Sequence, residues 1–332
     1  MINLSLGESC LKTVLSFQGR GVMKKFFIHR ILNMIPILLG VIVIVFFLLR
    51  LSDGDPAYIK LSGMGMPVTE ELLQETRKAM GLNLPIYEQF WNSFRGMLQG
   101  DLGTSYRTNI PVTEELGRAL LPTLELACVS FGLTVMVSLP LGIITALYAN
   151  RMLDYIIRVL SFVAAAVPVF VLGLVLIYIF SLQLHWLPIS GSGSTKNMIL
   201  PVLSLSLALI GRYTKQIRAA VLEEINKQYV SAARIRGLPE RIVLVSHVLR
   251  NSMIAVVTML GFSFGILLGG TAVIEIMFVW PGLGKLAVEA VRHRDFPIIQ
   301  GFTLLMASIY CMINLAVDLS YGYLDPRIRN EG

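Results

Sequence analysis

The chain contains six apolar runs, each close to the roughly 20 residues that an α-helix needs to cross a lipid bilayer. They lie at residues 31–51, 123–149, 159–182, 199–221, 253–279 and 299–322. Inside a bilayer, backbone polar groups must bond within the protein, and runs of this length favour helices over strands. The composition agrees, since 55% of the residues are hydrophobic and 15% are charged. We therefore predict an all-α integral membrane protein with six transmembrane helices.

Basic residues beside the apolar runs predict the orientation of the chain in the membrane. Short cytoplasmic segments of membrane proteins carry an excess of Lys and Arg. Bases occur before the first run, between the second and third, after the fourth and after the sixth, whereas residues 183–197 carry only Lys196. We expect both termini in the cytoplasm of a multi-pass cell-membrane protein that contacts lipid. The net charge of +7 reflects these flanks and not a basic domain with interleaved aromatics, so no nucleic-acid partner is expected.

The fourth run leaves an alternative open. Only residues 199–211 are continuously apolar, and Arg212, Lys215 and Arg218 follow. A half-length helix that never crosses the membrane would place the C-terminus outside. A full span requires these bases to reach the inner interface or to face protein.

The polar segments divide the chain into five regions. Residues 1–23 form an N-terminal extension that could reflect a mis-called start, because Met23 followed by Lys24 and Lys25 would itself suit a start. The first span with its flank covers 24–51, and an extracytoplasmic segment with more acids than bases covers 52–122. A core of five spans at 123–322 contains a polar loop at 223–250, and a tail follows at 323–332.

The polar loop at 223–250 has the pattern of two short helices that meet at Gly237. Glycine suits the left-handed position that ends a helix, and Pro239 with Glu240 suits the first turn of the next. Ala232 and Ala233 leave a surface poor in side chains before the bend. The basic residues around it are Arg234, Arg236 and Arg241. The loop is either a surface for a cytoplasmic partner or a solvated amphipathic connector.

This loop resembles the E-A-A-x-x-x-G signature of permease subunits of ABC importers, in the form found in the peptide and nickel branch. It reads Tyr229-Val230-Ser231-Ala232-Ala233-Arg234-Ile235-Arg236-Gly237-Leu238. Ser231 replaces the general Glu, and Arg250 replaces a Pro near the end; both changes fit that branch. Other landmarks of the family follow in order: Gly54-Asp55-Pro56, Gly100-Asp101-Leu102-Gly103-Thr104-Ser105, Pro122-Thr123-Leu124-Glu125-Leu126, Trp280-Pro281-Gly282-Leu283-Gly284, Arg294-Asp295-Phe296-Pro297 and Asp325-Pro326-Arg327.

The resemblance implies a type I ABC importer permease fold and a function by alternating access. The implied partners are a homologous second permease, two ATP-binding subunits and an extracytoplasmic substrate-binding protein. The loop would be the site that couples the chain to the ATPase. Its implied coupling residues are Ser231, Ala232, Ala233, Arg234, Arg236, Gly237, Leu238 and Arg241.

The sequence predicts no catalytic, cofactor or metal site. Gly282-Leu283-Gly284-Lys285-Leu286 resembles a phosphate loop superficially, but Val279 stands at the first glycine position and Leu286 at the Ser/Thr position. The histidines and cysteines show no ligand spacing. Glu125 and Glu275 are candidate pathway residues because ionisable groups near spans are costly, although pairing with a partner subunit is the alternative. Asp318 is a further ionisable residue of this kind.

The cargo is the least constrained prediction. Residues 183–197 form a short outer loop, which resembles the nickel permeases of the branch more than the peptide permeases with a long insertion. On this ground we expect nickel or a metal chelate, with dipeptides or oligopeptides as the alternative. A different class, a stand-alone secondary transporter or channel, would leave the loop at 223–250 without an ATPase.

Overall fold

The computed structural model describes residues 30–52, 54–63 and 68–324, with side chains as far as Val317. The predicted N-terminal extension, most of the C-terminal tail and the side chain of Asp318 lie outside the described part. The helices, in chain order, are α1 (Arg30–Leu51), α2 (Pro56–Gly63), α3 (Glu70–Ala79), α4 (Ile86–Leu98), α5 (Val112–Leu147), α6 (Met152–Ala166), α7 (Val169–Gln183), α8 (Thr195–Ile225), α9 (Gln228–Ile235), α10 (Glu240–Met277), α11 (Leu283–Arg292) and α12 (Phe296–Leu324).

Five of the described helices are long and apolar enough to cross a membrane by themselves: α1, α5, α8, α10 and α12. The pair α6 and α7 passes the same test together, which gives six spans if the pair counts as one. With α6 and α7 counted as one span, the prediction of an all-α protein with six spans is confirmed.

The third span differs from the straight helix predicted at 159–182. The structure bends the chain by 100° between α6 and α7. Pro168 lies at the break and has no N–H to donate, and Val167 before it adopts an extended conformation with φ −79° and ψ 129°. A residue before proline disfavours the helical region for steric reasons, which accounts for the position of the break.

The fourth span is a full-length helix. α8 contains 31 residues, a length of about 46 Å at 1.5 Å per residue, which excludes the half-length alternative. Its base Arg218 pairs with the buried Asp154 of α6 through two nitrogens, each 2.8 Å from a carboxyl oxygen. The amide of Asn150 donates to the same carboxyl group at 2.9 Å. Arg218, the last base of the stripe after residue 211, therefore joins α8 to α6 at one end of the bundle.

Three buried clusters follow one another along the bundle. Val112, Leu116 and Leu283 belong to the cluster at the end where α5 begins, beside the predicted extracytoplasmic segment. A central cluster includes Leu126, Leu200 and Trp280. A third cluster, near the end of α5, includes Ala146 and the polar loop. The 36 residues of α5 span about 54 Å, so the segment at 52–122 and the loop at 223–250 lie at opposite ends of the molecule.

Candidate functional site

The predicted bend of the polar loop is present at Gly237, whose φ of +77° is the left-handed conformation that glycine adopts without steric cost. Two details differ from the prediction. The helix expected before the bend is interrupted, because α8 ends at Ile225 and α9 begins at Gln228. The helix after the bend is not short: α10 runs for 38 residues from Glu240 to Met277, with a π-helical stretch at Val243–Leu249 and a turn residue, Thr271, before its last six residues. The loop is therefore joined directly to the fifth span.

A hydrogen-bonded group holds α9 against the ends of α8 and α10. The carboxyl group of Glu224 accepts from Lys227 Nζ and from the Tyr229 hydroxyl, each at 2.6 Å. Asn251 Nδ2 of α10 donates to the same hydroxyl at 3.1 Å. The bond to Glu224 raises the pKa of Lys227, so its ammonium group stays charged. This group explains the interruption at residues 226–227, because the chain turns around the carboxylate.

The predicted coupling residues divide into an exposed set and one buried residue. Ala233 is 9% exposed and packs with Val230, Val243 and Val248. The remaining predicted coupling residues are exposed: Ser231, Ala232, Arg234, Arg236, Gly237, Leu238 and Arg241. The small side chain at position 233 thus serves packing of the loop on the bundle, and contact of these residues with an ATPase stays a prediction.

Ile235 is the functional candidate that the sequence analysis missed. It is 86% exposed at the end of α9, immediately before the bend. The ion pair between Arg234 and Glu240, at 2.7 Å, bridges the bend beside it. In the sequence, an isoleucine between Arg234 and Arg236 in a predicted cytoplasmic loop was the feature that could have indicated it. An apolar side chain so exposed and rimmed by charge is typical of a protein-contact surface.

The opposite end of α10 contains a buried polar clasp around Glu275. This residue is 0% exposed, and its Oε1 accepts from the hydroxyls of Thr123 and Thr271, each at 2.8 Å. Its Oε2 accepts from the backbone N–H of Lys285 at 3.0 Å, and Thr123 Oγ1 accepts from the N–H of Leu283 at 2.7 Å. Side chains of α5 and α10 therefore accept from two backbone N–H groups of the first turn of α11, Leu283 and Lys285, which have no acceptor within the helix.

The clasp explains the Trp280–Gly284 motif. Gly282 occupies the N-cap position of α11, and a Cβ there would lie 2.4 Å from the carboxyl carbon of Glu275. Trp280 Nε1 donates to the Pro122 carbonyl at 2.9 Å. The close approach requires glycine at position 282, and the caps come from other helices because glycine has no side chain to supply one.

The two predicted pathway acids do not come together. Glu275 is enclosed by donors of its own chain, whereas Glu125 of α5 is exposed on the single chain. Its exposure leaves Glu125 available to the pathway or to a partner subunit, and the pathway role of either residue stays a prediction. Within the described ranges, no three His, Cys, Asp or Glu side chains are grouped as metal ligands.

A second buried acid, Asp295, joins two other landmarks. It is 2% exposed and accepts from the Ser105 hydroxyl and from the amides of Tyr106 and Arg107, at 3.0 and 3.2 Å. The Gly100–Ser105 landmark is thereby attached to the Arg294–Pro297 landmark, 190 residues away in sequence. This attachment anchors the predicted extracytoplasmic segment to the membrane core.

Comparison with known proteins supplies the family. Residues 138–330 match the binding-protein-dependent transport system inner membrane component family, and residues 23–127 match the N-terminal family of the same transport systems. The chain belongs to this permease family. It is therefore a multi-span helical permease of a bacterial ABC importer, located in the inner membrane.

Curated relatives and solved structures agree with this assignment. The glutathione transport system permease protein GsiC of Pectobacterium atrosepticum is 39% identical over 307 residues, which is 92% of this chain and 99% of the relative. The Escherichia coli K12 protein of the same name is 38% identical over the same shares. Among solved structures, an inward-facing methionine transporter MetNI has a TM-score of 0.51 at 16% identity, covering 63% of this chain and 96% of the other. An amino acid ABC transporter with histidines has a TM-score of 0.50 at 18% identity, covering 65% and 94%. These two show the type I fold.

The preference for nickel is not supported by these comparisons. It depended on the short loop at residues 183–197. In the structure this loop packs on its own chain, where the Gly191 N–H donates to the Phe278 carbonyl at 3.2 Å.

Proposed function

We propose that this chain is the non-catalytic permease subunit of an importer in which separate subunits hydrolyse ATP, and that its cargo is a short peptide of the glutathione type. The continuity of α10 is the observation that carries the mechanism. One end of α10 begins at the exposed bend beside Ile235, and the other ends at the Glu275 clasp. Its 38 residues link the two ends of the molecule.

The mechanism proceeds by rigid-body transmission. An ATPase that docks on the exposed face of α9 moves the rigid unit formed by α9, the Glu224 group and α10. Because α10 ends in a buried clasp with α5 and α11, its motion is transmitted to the outer face. A homologous second permease completes the pathway, and an extracytoplasmic binding protein delivers the cargo. Alternation between inward-open and outward-open states moves the peptide with no bond broken in this chain.

The cargo assignment is based on relatives, not on a metal site. Relatives that match nearly the whole chain at 38–39% identity are glutathione permeases. This supports the peptide alternative over nickel, and other short peptides of similar size remain within the same class.

Ile235→Asp tests the docking surface. A charge at this apolar contact is expected to reduce ATPase co-purification and uptake of labelled glutathione at least tenfold, because a desolvated apolar anchor carries much of the binding energy of an interface. Abundance in the membrane should not change, since the side chain is exposed. Tyr87→Asp on α4, at the opposite end and 70% exposed, is the matched control and should retain the ATPase. Normal co-purification and uptake by the Ile235→Asp importer would refute the docking site.

Uptake by the reconstituted importer tests cargo and class together. With its ATPases and binding protein present, labelled glutathione should accumulate only with ATP, and unlabelled dipeptide but not nickel should compete. Nickel accumulation without peptide accumulation would overturn the cargo proposal. Uptake that survives ATP depletion would instead favour a secondary transporter or channel.

A further inference from the structure

A cavity of about 690 Å³ lies within the predicted extracytoplasmic segment. The end of α1, helices α2 to α4, the segment 101–109 and the start of α12 form its walls. Its volume is within the range of small-molecule sites, about 300–1,000 Å³. The cavity is at the end of the molecule opposite the coupling loop and is separate from the Glu275 clasp, which does not line it.

Arg50 at the end of α1 is a half-buried cation on this wall. Its guanidinium lies 3.6 Å above the Phe46 ring centre, and its Nε donates to the neutral Gln89 side chain at 3.0 Å. Among the ion pairs of the described residues, none involves Arg50. Charged groups withdrawn from water are usually paired, so this guanidinium has capacity for an acidic ligand.

Two further donors, Lys60 and Tyr106, line the same cavity. Lys60 Nζ donates to the neutral Asn109 side chain at 2.8 Å and has no carboxylate partner in the described part of the chain. The Tyr106 ring lies 6.3 Å from the Phe296 ring, and the Arg50 guanidinium lies 5.7 Å from the same ring. Burial raises the pKa of Tyr106, so its hydroxyl stays protonated and able to donate. Three donors of this kind favour a carboxylate.

The same cavity also carries acceptors for a positive group. Glu75 of α3 and Asp101 both line it and are exposed. One oxygen of Asp101 accepts from the Gly103 amide at 2.8 Å, which leaves its other oxygen available. A wall with both signs of charge matches a zwitterion better than a metal cation or a simple anion.

We propose that this cavity is an outer binding site for a short zwitterionic peptide, with the peptide carboxylate at Arg50 and Lys60 and its ammonium group at Glu75 and Asp101. The proposal rests on the proposed peptide cargo and adds a site on the permease itself. The site would hold the peptide between its release from the binding protein and its entry into the membrane pathway.

Equilibrium binding of labelled trialanine and trialaninamide to the assembled importer in nanodiscs, without the binding protein, tests this site. The amide lacks the carboxylate and should bind at least tenfold more weakly, since hydrogen bonds to a charged group are stronger than those to a neutral one. Arg50→Gln and Lys60→Gln should each weaken trialanine binding by about tenfold or more, and should weaken trialaninamide binding much less. Arg50→Lys keeps the charge and should restore part of the affinity, which separates loss of charge from loss of folding. Arg95→Gln is the matched control, because Arg95 is an exposed base on α4 that does not line the cavity.

Three results would overturn the proposal: no trialanine binding by the wild type, equal binding of acid and amide, or unchanged affinity in Arg50→Gln and Lys60→Gln. The same experiments distinguish failure of the site proposal from failure of the cargo proposal. If the complete importer accumulates no peptide although trialanine binding depends on Arg50, the site proposal holds and the cargo proposal is wrong. If the importer accumulates peptide but trialanine binding does not depend on Arg50, only the site proposal is wrong.

Discussion

At the scale of single residues, Thr123 is the hydroxyl of the Glu275 clasp that links α5 to both α10 and α11. It donates to Glu275 and accepts from the Leu283 amide, and it is 0% exposed. Thr123→Val keeps the shape but leaves a buried N–H and a carboxyl oxygen short of one partner each. We expect a loss of about 1–3 kcal/mol in stability, measured as a lower thermal unfolding temperature in detergent.

A matched variant separates this effect from the general cost of removing a hydroxyl. Thr258 of α10 bonds only to the Ile254 carbonyl one turn earlier, at 2.8 Å. Thr258→Val leaves no buried donor without a partner and should leave the unfolding temperature nearly unchanged. Equal effects of the two variants would show that the clasp contributes nothing specific.

At the scale of helices, α6 and α8 meet backbone to backbone at Gly211. A Cβ at this position would lie 2.5 Å from the Ser161 carbonyl oxygen and 2.9 Å from the Ala165 nitrogen. Backbone atoms cannot rotate out of the way as a side chain can, so Gly211→Val is expected to push α6 and α8 apart. We expect a destabilisation of about 1–3 kcal/mol or more, seen as a lower unfolding temperature and lower membrane abundance.

Gly132→Val is the control for helix propensity. Gly132 lies in α5 and is exposed, and a Cβ added there would meet no atom within 4 Å. The same chemical change there should affect stability little. A Gly211→Val protein as stable as Gly132→Val would contradict the close approach of α6 and α8.

At the scale of the whole molecule, Asp295 is one of the residues that attach the predicted extracytoplasmic segment to the core. Asp295→Ala removes the acceptor of the Ser105 hydroxyl and of the Tyr106 amide, and leaves the Arg107 amide with only its 3.2 Å bond to Ser105 Oγ. We expect faster hydrogen exchange across residues 101–110, while exchange in α5 and α8 is unchanged, because the core clusters do not include this contact.

The surface pair between Arg107 and Glu289, at 2.9 Å, joins the same two regions and provides the comparison. Exposed ion pairs contribute only about 0–1 kcal/mol, so Glu289→Ala should change exchange at residues 101–110 far less. Similar exchange in both variants would show that the segment is held by other contacts.

Local patterns were enough to predict much of the molecule. Apolar runs predict spans because a backbone in lipid must form its hydrogen bonds within the protein, and a helix does this for a single segment. The bend at Gly237 follows from the conformational freedom of glycine next to Pro239. The order of the family landmarks also indicated the permease family that the comparisons confirmed. Each of these inferences depends on residues adjacent in sequence.

Contacts between distant residues decided the rest. Thr123 and Glu275 are 152 residues apart, so no periodicity predicts that Glu275 is enclosed in a clasp instead of facing solvent. Ala233 is buried and Ile235 is exposed because the Glu224 group fixes how α9 rests on the bundle. The sequence by itself determined which segments are helices, which of them enter the membrane and to which family the chain belongs. Only the tertiary structure decided which side chains are left available to a partner or a ligand, because burial and charge pairing are set by helices that meet in space.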